Sequence, residues 1–294
     1  MLSSISVVFY RTAFRNWWSS ILKRVLNIYP IIVILNNFNI SVKINNGRQF
    51  YMAGYFGNHP LPSRMHFKFE WNKEKDEMHV LYNKKEIAIR HIFEDGDFAG
   101  VFINEEYKEI DVNNRLVIDI GASICDTPLY FILKGANKII AYEPVPEVFQ
   151  MGLDNIVLNN LEETIDYINE AVGDTCKFLN IGDYSKMIAG GSALRLNSNG
   201  TKIRQVTLTS ILESIEFKGE GAILKLDCEG CEYALFSEVD SSLLKKLDTV
   251  VLEYHNGLQH IPNLLKEHGF ISQKTKPKTK EVGLLIATRE TLQL

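Results

Sequence analysis

The stretch V-I-D-I-G-A-S-I-C-D-T-P-L-Y-F, Val117–Phe131, changes character at a single glycine. It begins as an apolar strand, breaks at Gly121 and resumes as a helix. Gly121 lets the chain turn sharply and lets a ligand approach the backbone. Thr127-Pro128 is a helix-start signal, with Thr127 as N-cap and Pro128 as the first helical residue. Unsatisfied N–H groups and the positive dipole end at such a start favour a negatively charged group. Asp119 sits among apolar residues, where a carboxylate is costly unless it has a partner.

Working outward, strand and helix patterns alternate after Asp111, which predicts a parallel sheet with crossover helices. Strands are predicted at Leu116–Ile120, Lys138–Tyr142, Ile165–Asn169, Ala222–Asp227, Thr249–Tyr254 and Gly283–Thr288. Helices are predicted near Thr127–Lys134, Pro146–Asn159, Glu232–Val239 and Pro262–His268. Lys274–Lys280, four Lys around a Pro, reads as a solvated turn. Residues 1–110 read as an accessory region and 111–294 as the domain built on this sheet. Within the first, Arg11–Tyr29 has helical periodicity, with Trp17 and Trp18 on the apolar face and Arg11, Arg15, Lys23 and Arg24 mostly opposite. Short antiparallel strands follow. Ile40–Ile44 is predicted to pair with Arg48–Tyr51 across Asn45-Asn46-Gly47, and M-H-F-K-F with M-H-V-L-Y across Trp71–Asp76; Asn83-Lys84-Lys85 reads as a turn.

A nucleotide-like ligand at the first turn needs a second anchor at the end of the next strand, where a carboxylate about 20 residues on can accept from both ribose hydroxyls. Glu143, just after I-I-A-Y, has that place. Dinucleotide sites favour G-x-G-x-x-G for close approach to a pyrophosphate. The turn here, G-A-S-I-C-D, has one glycine, which suits S-adenosylmethionine, a ligand without phosphate. Asp119 is then a candidate partner for the ammonium of its amino-acid tail.

Later segments supply a resemblance. I-D-I-G-A-S-I-C-D-T, A-Y-E-P, N-E-A-V-G-D (169–174), V-T-L-T-S-I-L (206–212), L-K-L-D-C-E-G-C-E-Y (224–233) and V-V-L-E-Y-H (250–255) together resemble the FkbM family of S-adenosylmethionine-dependent methyltransferases over about residues 107–270. The most specific features are K-x-D-x-E-G-x-E and the order of the six blocks. The resemblance implies a Rossmann-like, seven-stranded class I methyltransferase sheet, here with an N-terminal helix and small β region. It also implies methyl transfer to oxygen, on hydroxyls of sugars, glycans, glycolipids or secondary metabolites. It places Asp119, Gly121, Ala122, Ser123, Asp126 and Thr127 at the cofactor turn, Glu143-Pro144 at the ribose, and Asn169, Glu170 and Ala171 near the adenine. Lys225, Asp227, Glu229, Glu232, Glu253 and His255 match the acidic blocks beside the acceptor; Asp227 is expected to face cofactor as well. The turn departs from G-A-N-I-G-D at Ser123 and Cys125. Cys125 is compatible with the site if it takes a negative φ and points away from the ligand.

Methyl transfer is largely positioning, but a hydroxyl acceptor must lose a proton. His255 is the candidate base, oriented by Asp227 or Glu253. The plainer readings are that Lys225 neutralises buried carboxylates and His255 satisfies a neighbour. A divalent cation held by three oxygens and one imidazole is a further alternative, although no dense ligand spacing calls for it. Cys228-Glu229-Gly230-Cys231 lacks a second C-x-x-C or His pair to complete a zinc site, and its spacing follows from the E-G-x-E block. Ala189–Ser192 reads as a lid or a surface turn. Other readings of the chain are an RNA or protein methyltransferase, a cofactor-binding module without turnover, and a nicotinamide-dependent oxidoreductase, which the missing glycines disfavour.

The formal charge of −4 does not imply a nucleic-acid surface. It divides unevenly: eight Lys and Arg and no Asp or Glu precede Glu70, so the first 69 residues carry +8 and the rest −12. Four cysteines in 294 residues make no disulfide framework, so a reducing, cytoplasmic setting is expected. The expected partner is a small-molecule or glycan acceptor. Residues 11–29 are a candidate peripheral membrane contact, or pack on the catalytic domain or a second subunit as in a homo-oligomer.

Overall fold

The computed structural model describes residues 14–16, 19, 31–35, 40–44, 67–72, 74–92, 98–182, 200–216, 221–228, 230–236 and 239–289. It forms two compact units, Met1–His66 with Phe93–Gly96, and Phe67–Ile92 with Asp97–Leu294. In the first unit, β1 (Ile31–Leu35) pairs antiparallel with β2 (Ile40–Ile44). The hairpin expected between Ile40–Ile44 and residues 48–51 falls on residues outside those described. Residues 48–51, most of Arg11–Tyr29 and Ala189–Ser192 lie outside the described residues.

The second unit opens with β3 (Phe67–Asn72), β4 (Glu77–Tyr82) and β5 (Lys85–Ile89), a π-helical turn at Ala99–Ile103, β6 (Leu116–Ile120), α1 (Asp126–Leu133), β7 (Lys138–Tyr142) and α2 (Pro146–Leu158). It continues through β8 (Ile165–Ile168), β9 (Ala171–Gly173), β10 (Lys177–Ile181), β11 (Thr201–Thr207), α3 (Leu208–Ser214) and β12 (Ala222–Leu226). It closes with α4 (Glu232–Leu235), α5 (Ser241–Leu244), β13 (Leu247–Tyr254), α6 (Ile261–Glu267), β14 (Ser272–Pro277) and β15 (Gly283–Thr288).

Seven strands form the main sheet, in the order β14-β15-β13-β12-β6-β7-β8. The strands from β13 to β8 are parallel, and β15 runs antiparallel to both β13 and β14. This is the Rossmann-like, seven-stranded sheet that the resemblance implies. The central strands read as continuous apolar runs because helices cover both faces. The chain proceeds from β6 outward to β8, then returns to β12 on the other side of β6. The carboxyl ends of β6 and β12 therefore flank the topological switch point, where open α/β sheets bind ligands.

The Lys-rich stretch read as a turn is instead the edge strand β14, with Lys274 opposite Ile286 and Lys276 opposite Leu284. Lys and a terminal Pro are tolerated there because an edge strand has one solvent side. Lys274 and Lys276 also meet Glu109, which pulls the Glu109 carboxyl below its usual range. Helix α4 is one turn long, shorter than the predicted Glu232–Val239.

Residues 67–92 cluster with 97–294, while 93–96 cluster with 1–66. Sheet β3-β4-β5 belongs with the main sheet because side chains of α2 complete its edge. Asn155, fully buried, accepts from Arg90 N at 2.7 Å and donates to Arg90 O and Ile124 O. Asn159 brackets Ala88 in the same way. The Asn83-Lys84 turn has φ of 47° and 69°, the primed hairpin geometry that matches strand twist.

One charge pair lies inside the sheet. Lys225 on β12 is directly opposite Asp119 on β6, and both are buried. The ammonium is 2.9 Å from Asp119 Oδ1 and donates to Gly121 O at 2.8 Å. Burial pushes the Asp119 carboxyl up, and Lys225 opposes that shift. For Lys225 burial acts downward, but Asp119 and then Asp227 outweigh it and hold the ammonium above its usual range.

Two stability changes follow. Lys225→Met strands Asp119 in the sheet and should cost about 3–5 kcal/mol in denaturant unfolding. Adding Asp119→Asn should recover part of that loss, and a double variant no better than the single would exclude the ion pair as the cause. Asn155→Ala orphans buried backbone groups at roughly 1–3 kcal/mol each. A loss below about 1 kcal/mol would mean that water replaces the amide.

Candidate active site

The turn after β6 is built from left-handed residues: Gly121, Ser123 and Cys125 have φ of 81°, 46° and 70°. Only glycine fits at 121, since a Cβ there would lie 1.9 Å from Asp227 O. The N–H groups of Gly121 and Ala122 both donate to Tyr142 O, which clamps the turn to the end of β7. Cys125 does not take the negative φ that its side chain would prefer. It keeps the left-handed conformation suited to the glycine it replaces, and its side chain is fully buried in protein. Burial, then Asp119 and Asp126, push its thiol well above the usual range.

Cys125, not Thr127, is the N-cap of α1, and it supplies no side-chain cap. The helix starts at Asp126 because that residue's Oδ1 accepts the Thr127 N–H at 2.9 Å. Pro128 fits inside the first turn, where its absent N–H would have no intrahelical partner. Asp126 and Thr127 are both buried.

Glu143, at the end of β7, turns its carboxylate to this loop. Oε2 accepts Ser123 N–H at 3.1 Å and Oε1 accepts Val145 N–H at 2.8 Å. Burial pushes the carboxyl up to about 7, against the pull of the Val145 and Ser123 N–H groups. Pro144 leads into α2, half-buried. Asn169 donates to Glu143 O at 2.8 Å, so the end of β8 is fastened to the same place. Glu170 is drawn to Arg204 at 3.2 Å, and Ala171 is buried in β9 opposite Gln205.

The third group stands at the ends of β12 and β13. Asp227 continues the ladder past β12 and lies 4.0 Å from the Lys225 ammonium. His255 follows β13, its Nε2 3.7 Å from Asp227 Oδ1 and its Nδ1 2.7 Å from Glu232 Oε1. The carboxylate oriented to the imidazole is thus Glu232, fully buried, not Glu253. Both oxygens of Glu253 meet Lys278, at 3.0 and 3.3 Å, and Lys278 also meets Glu106. Glu253 lies within β13, whereas β13 ends at Tyr254 and the chain bends at His255. The second Glu of E-G-x-E was the available signal for Glu232; only folding shows which acid reaches the ring. Cys228 and Cys231 form a disulfide rather than remaining thiols. Gly230, at φ 122°, turns the chain so that their Cα atoms lie 5.5 Å apart, within disulfide range.

The residues fit S-adenosylmethionine. A carboxylate has about four lone-pair sites, and Glu143 spends one on each of two backbone N–H groups, which leaves acceptor capacity for a ribose diol. Asp119 Oδ2 is buried without a hydrogen-bond partner among the described residues. Asp119 itself has no exposed surface and faces Lys225, which occupies the place expected for the cofactor ammonium. No described group of three or more His, Cys, Asp or Glu side chains is arranged to hold a metal ion. No helix among the described residues is long and apolar enough to cross a membrane.

Comparison with known proteins bears on this site. A family profile described as "Methyltransferase FkbM domain" matches residues 119–272. Over 161 residues the chain is 26% identical to uncharacterized protein 158B of Sulfolobus islandicus rod-shaped virus 1, covering 55% of this chain and 73% of the viral protein. Among solved structures, the METTL16 MTase domain overlays with a TM-score of 0.40 at 15% identity, over 66% of this chain and 64% of that one, under two thirds of its length. TrmK of M. capricolum, in complex with S-adenosyl-homocysteine, overlays with a TM-score of 0.37 at 12% identity, over 64% of this chain and 68% of that one. These distant overlays carry no weight for substrate. The profile, by contrast, takes in the glycine turn, Glu143, Lys225, Asp227, Glu232 and His255 and more than half of the chain, so this chain belongs to the FkbM family of S-adenosylmethionine-dependent methyltransferases.

Proposed function

We propose that the chain transfers a methyl group from S-adenosylmethionine to a hydroxyl oxygen of a small-molecule or glycan acceptor. The observation that carries this reading is His255, held between Glu232 and Asp227 at the same sheet edge as Glu143 and the glycine turn. Bound S-adenosylmethionine supplies an electrophilic methyl on a sulfonium. Glu143 anchors the ribose diol, with Asn169 fixing its strand end. The turn from Gly121 through Asp126 and Thr127 backs the cofactor, and Glu170-Ala171 closes the adenine side. Asp227 faces the cofactor and acceptor together and His255 takes the hydroxyl proton, while Glu253 is engaged by Lys278. The acidic rim favours a positively charged donor. Residues 11–29 provide contact with a membrane surface if the acceptor is lipid-linked.

The acceptor is found by incubating the protein with methyl-labelled S-adenosylmethionine and a small-molecule and glycan fraction of cell extract. Label on a hydroxyl oxygen supports the reading; label on nitrogen or RNA overturns it. Calorimetry that favours NAD over S-adenosylmethionine overturns the cofactor role.

The Glu143 assignment has a pH signature. Below about pH 7 the free protein holds a proton on Glu143. Ribose hydroxyls donating to it favour the ionised form, so binding expels that proton. Affinity should fall as pH drops below about 7, by up to about tenfold per unit, with proton release visible in buffers of different ionisation enthalpy. Glu143→Gln should flatten this dependence, and Glu143→Ala should weaken binding by roughly 10–100-fold. His255→Ala should slow turnover by about 10²–10⁴-fold without changing cofactor affinity; wild-type turnover would remove it as the base.

A further inference from the structure

Glu232 is a fully buried carboxylate at the start of a one-turn helix, and its two oxygens have different partners. Oε2 accepts the Gly230 N–H at 2.6 Å, and Oε1 lies 2.7 Å from His255 Nδ1. The Gly230 donor belongs to a turn closed by the Cys228–Cys231 disulfide. The carboxylate is thereby held in one rotation. A carboxylate only accepts hydrogen bonds, so the proton of the Glu232–His255 contact sits on Nδ1.

We infer that Glu232 is a positioning residue for the methyl transfer: it fixes His255 as the Nδ1–H tautomer and leaves the Nε2 lone pair for the acceptor hydroxyl, beside Asp227 at 3.7 Å. The inference rests on His255 being the proton acceptor. The acceptor O–H proton passes to Nε2 as the oxygen bonds to the methyl carbon, and the carbon–sulfur electron pair stays with sulfur. The imidazolium so formed lies between the Glu232 and Asp227 carboxylates, which stabilise its charge. A free neutral imidazole exchanges between two tautomers, of which only one can take this proton at Nε2.

Glu232→Gln separates positioning from bulk. Gly230 N–H still demands an acceptor, so the amide oxygen takes that place and the amide NH2 faces His255. Nδ1 must then accept, which moves the neutral proton to Nε2 with little change of volume. Imidazole nitrogen NMR reads this directly, with the His255 signal identified by its absence from His255→Asn. The wild type should carry the proton on Nδ1 and Glu232→Gln on Nε2. The initial rate on the labelled extract fraction at saturating S-adenosylmethionine should fall by about 10²–10⁴-fold, with cofactor affinity unchanged by calorimetry.

A wild-type neutral imidazole protonated on Nε2 overturns the inference, and this measurement needs no variant to fold. Slow His255→Asn beside a Glu232→Gln enzyme at the wild-type rate overturns the inference alone. A His255→Asn enzyme at the wild-type rate overturns the proton-acceptor reading and the inference with it.

Discussion

The buried pair between Asp119 and Lys225 is the constraint on which the site depends. Taking both charges out of water costs several kcal/mol per ion before any return. The pair is tolerated because the strands place the two side chains directly opposite each other and because the ammonium also bonds Gly121 O. Its effect is one of placement. It joins β6 to β12 at the switch point and ties the glycine turn to both. The turn then rests so close to Asp227 O that position 121 cannot carry a side chain.

Around that cation the carboxyl edge of the sheet is acidic, and packing separates the acids by duty. Glu143 is buried against backbone N–H groups. Glu253 is held by Lys278, whose ammonium burial would lower but which Glu253 and Glu106 raise above its usual range. Asp227 stays partly open to solvent beside His255. The field of this cluster reaches its neighbours: burial first, and then Asp227 and Glu253, push the Tyr107 hydroxyl well above its ordinary value. Cys125, also buried among these charges, has a thiol held protonated and thus poor as a nucleophile. His255 stands at the same edge, its ring near the carboxylates of Glu232 and Asp227 from different elements.

Much of the fold was legible in local sequence. The strands of the main sheet are apolar runs bounded by polar turns, so three of them, Leu116–Ile120, Lys138–Tyr142 and Gly283–Thr288, have the bounds that the pattern predicts. Glycine at 121 and an acid after the second strand stand out in the sequence, and in the structure that acid does face the glycine turn. Where pattern failed, a partner distant in sequence had decided the outcome. Lys274–Pro277 pairs as a strand because β15 offers it an edge and Glu109 offers countercharges. The small β3–β5 sheet is fastened to α2 because Asn155 on that helix and Asn159 at its C-cap satisfy backbone groups of β5 and the residue after it.

The amino-acid sequence by itself determined the alternation of strands and helices, the order of the motif blocks and the position of the glycine turn. Those follow from periodicity and from backbone freedom at single residues, which are local properties of the chain. Tertiary structure decided which charges meet. It gave Asp119 to Lys225, Glu253 to Lys278 and His255 to Glu232, and it closed Cys228 on Cys231. An ion pair or hydrogen bond is fixed by distances of about 3 Å between groups on separate elements, and spacing along the chain does not set such distances until the sheet has formed.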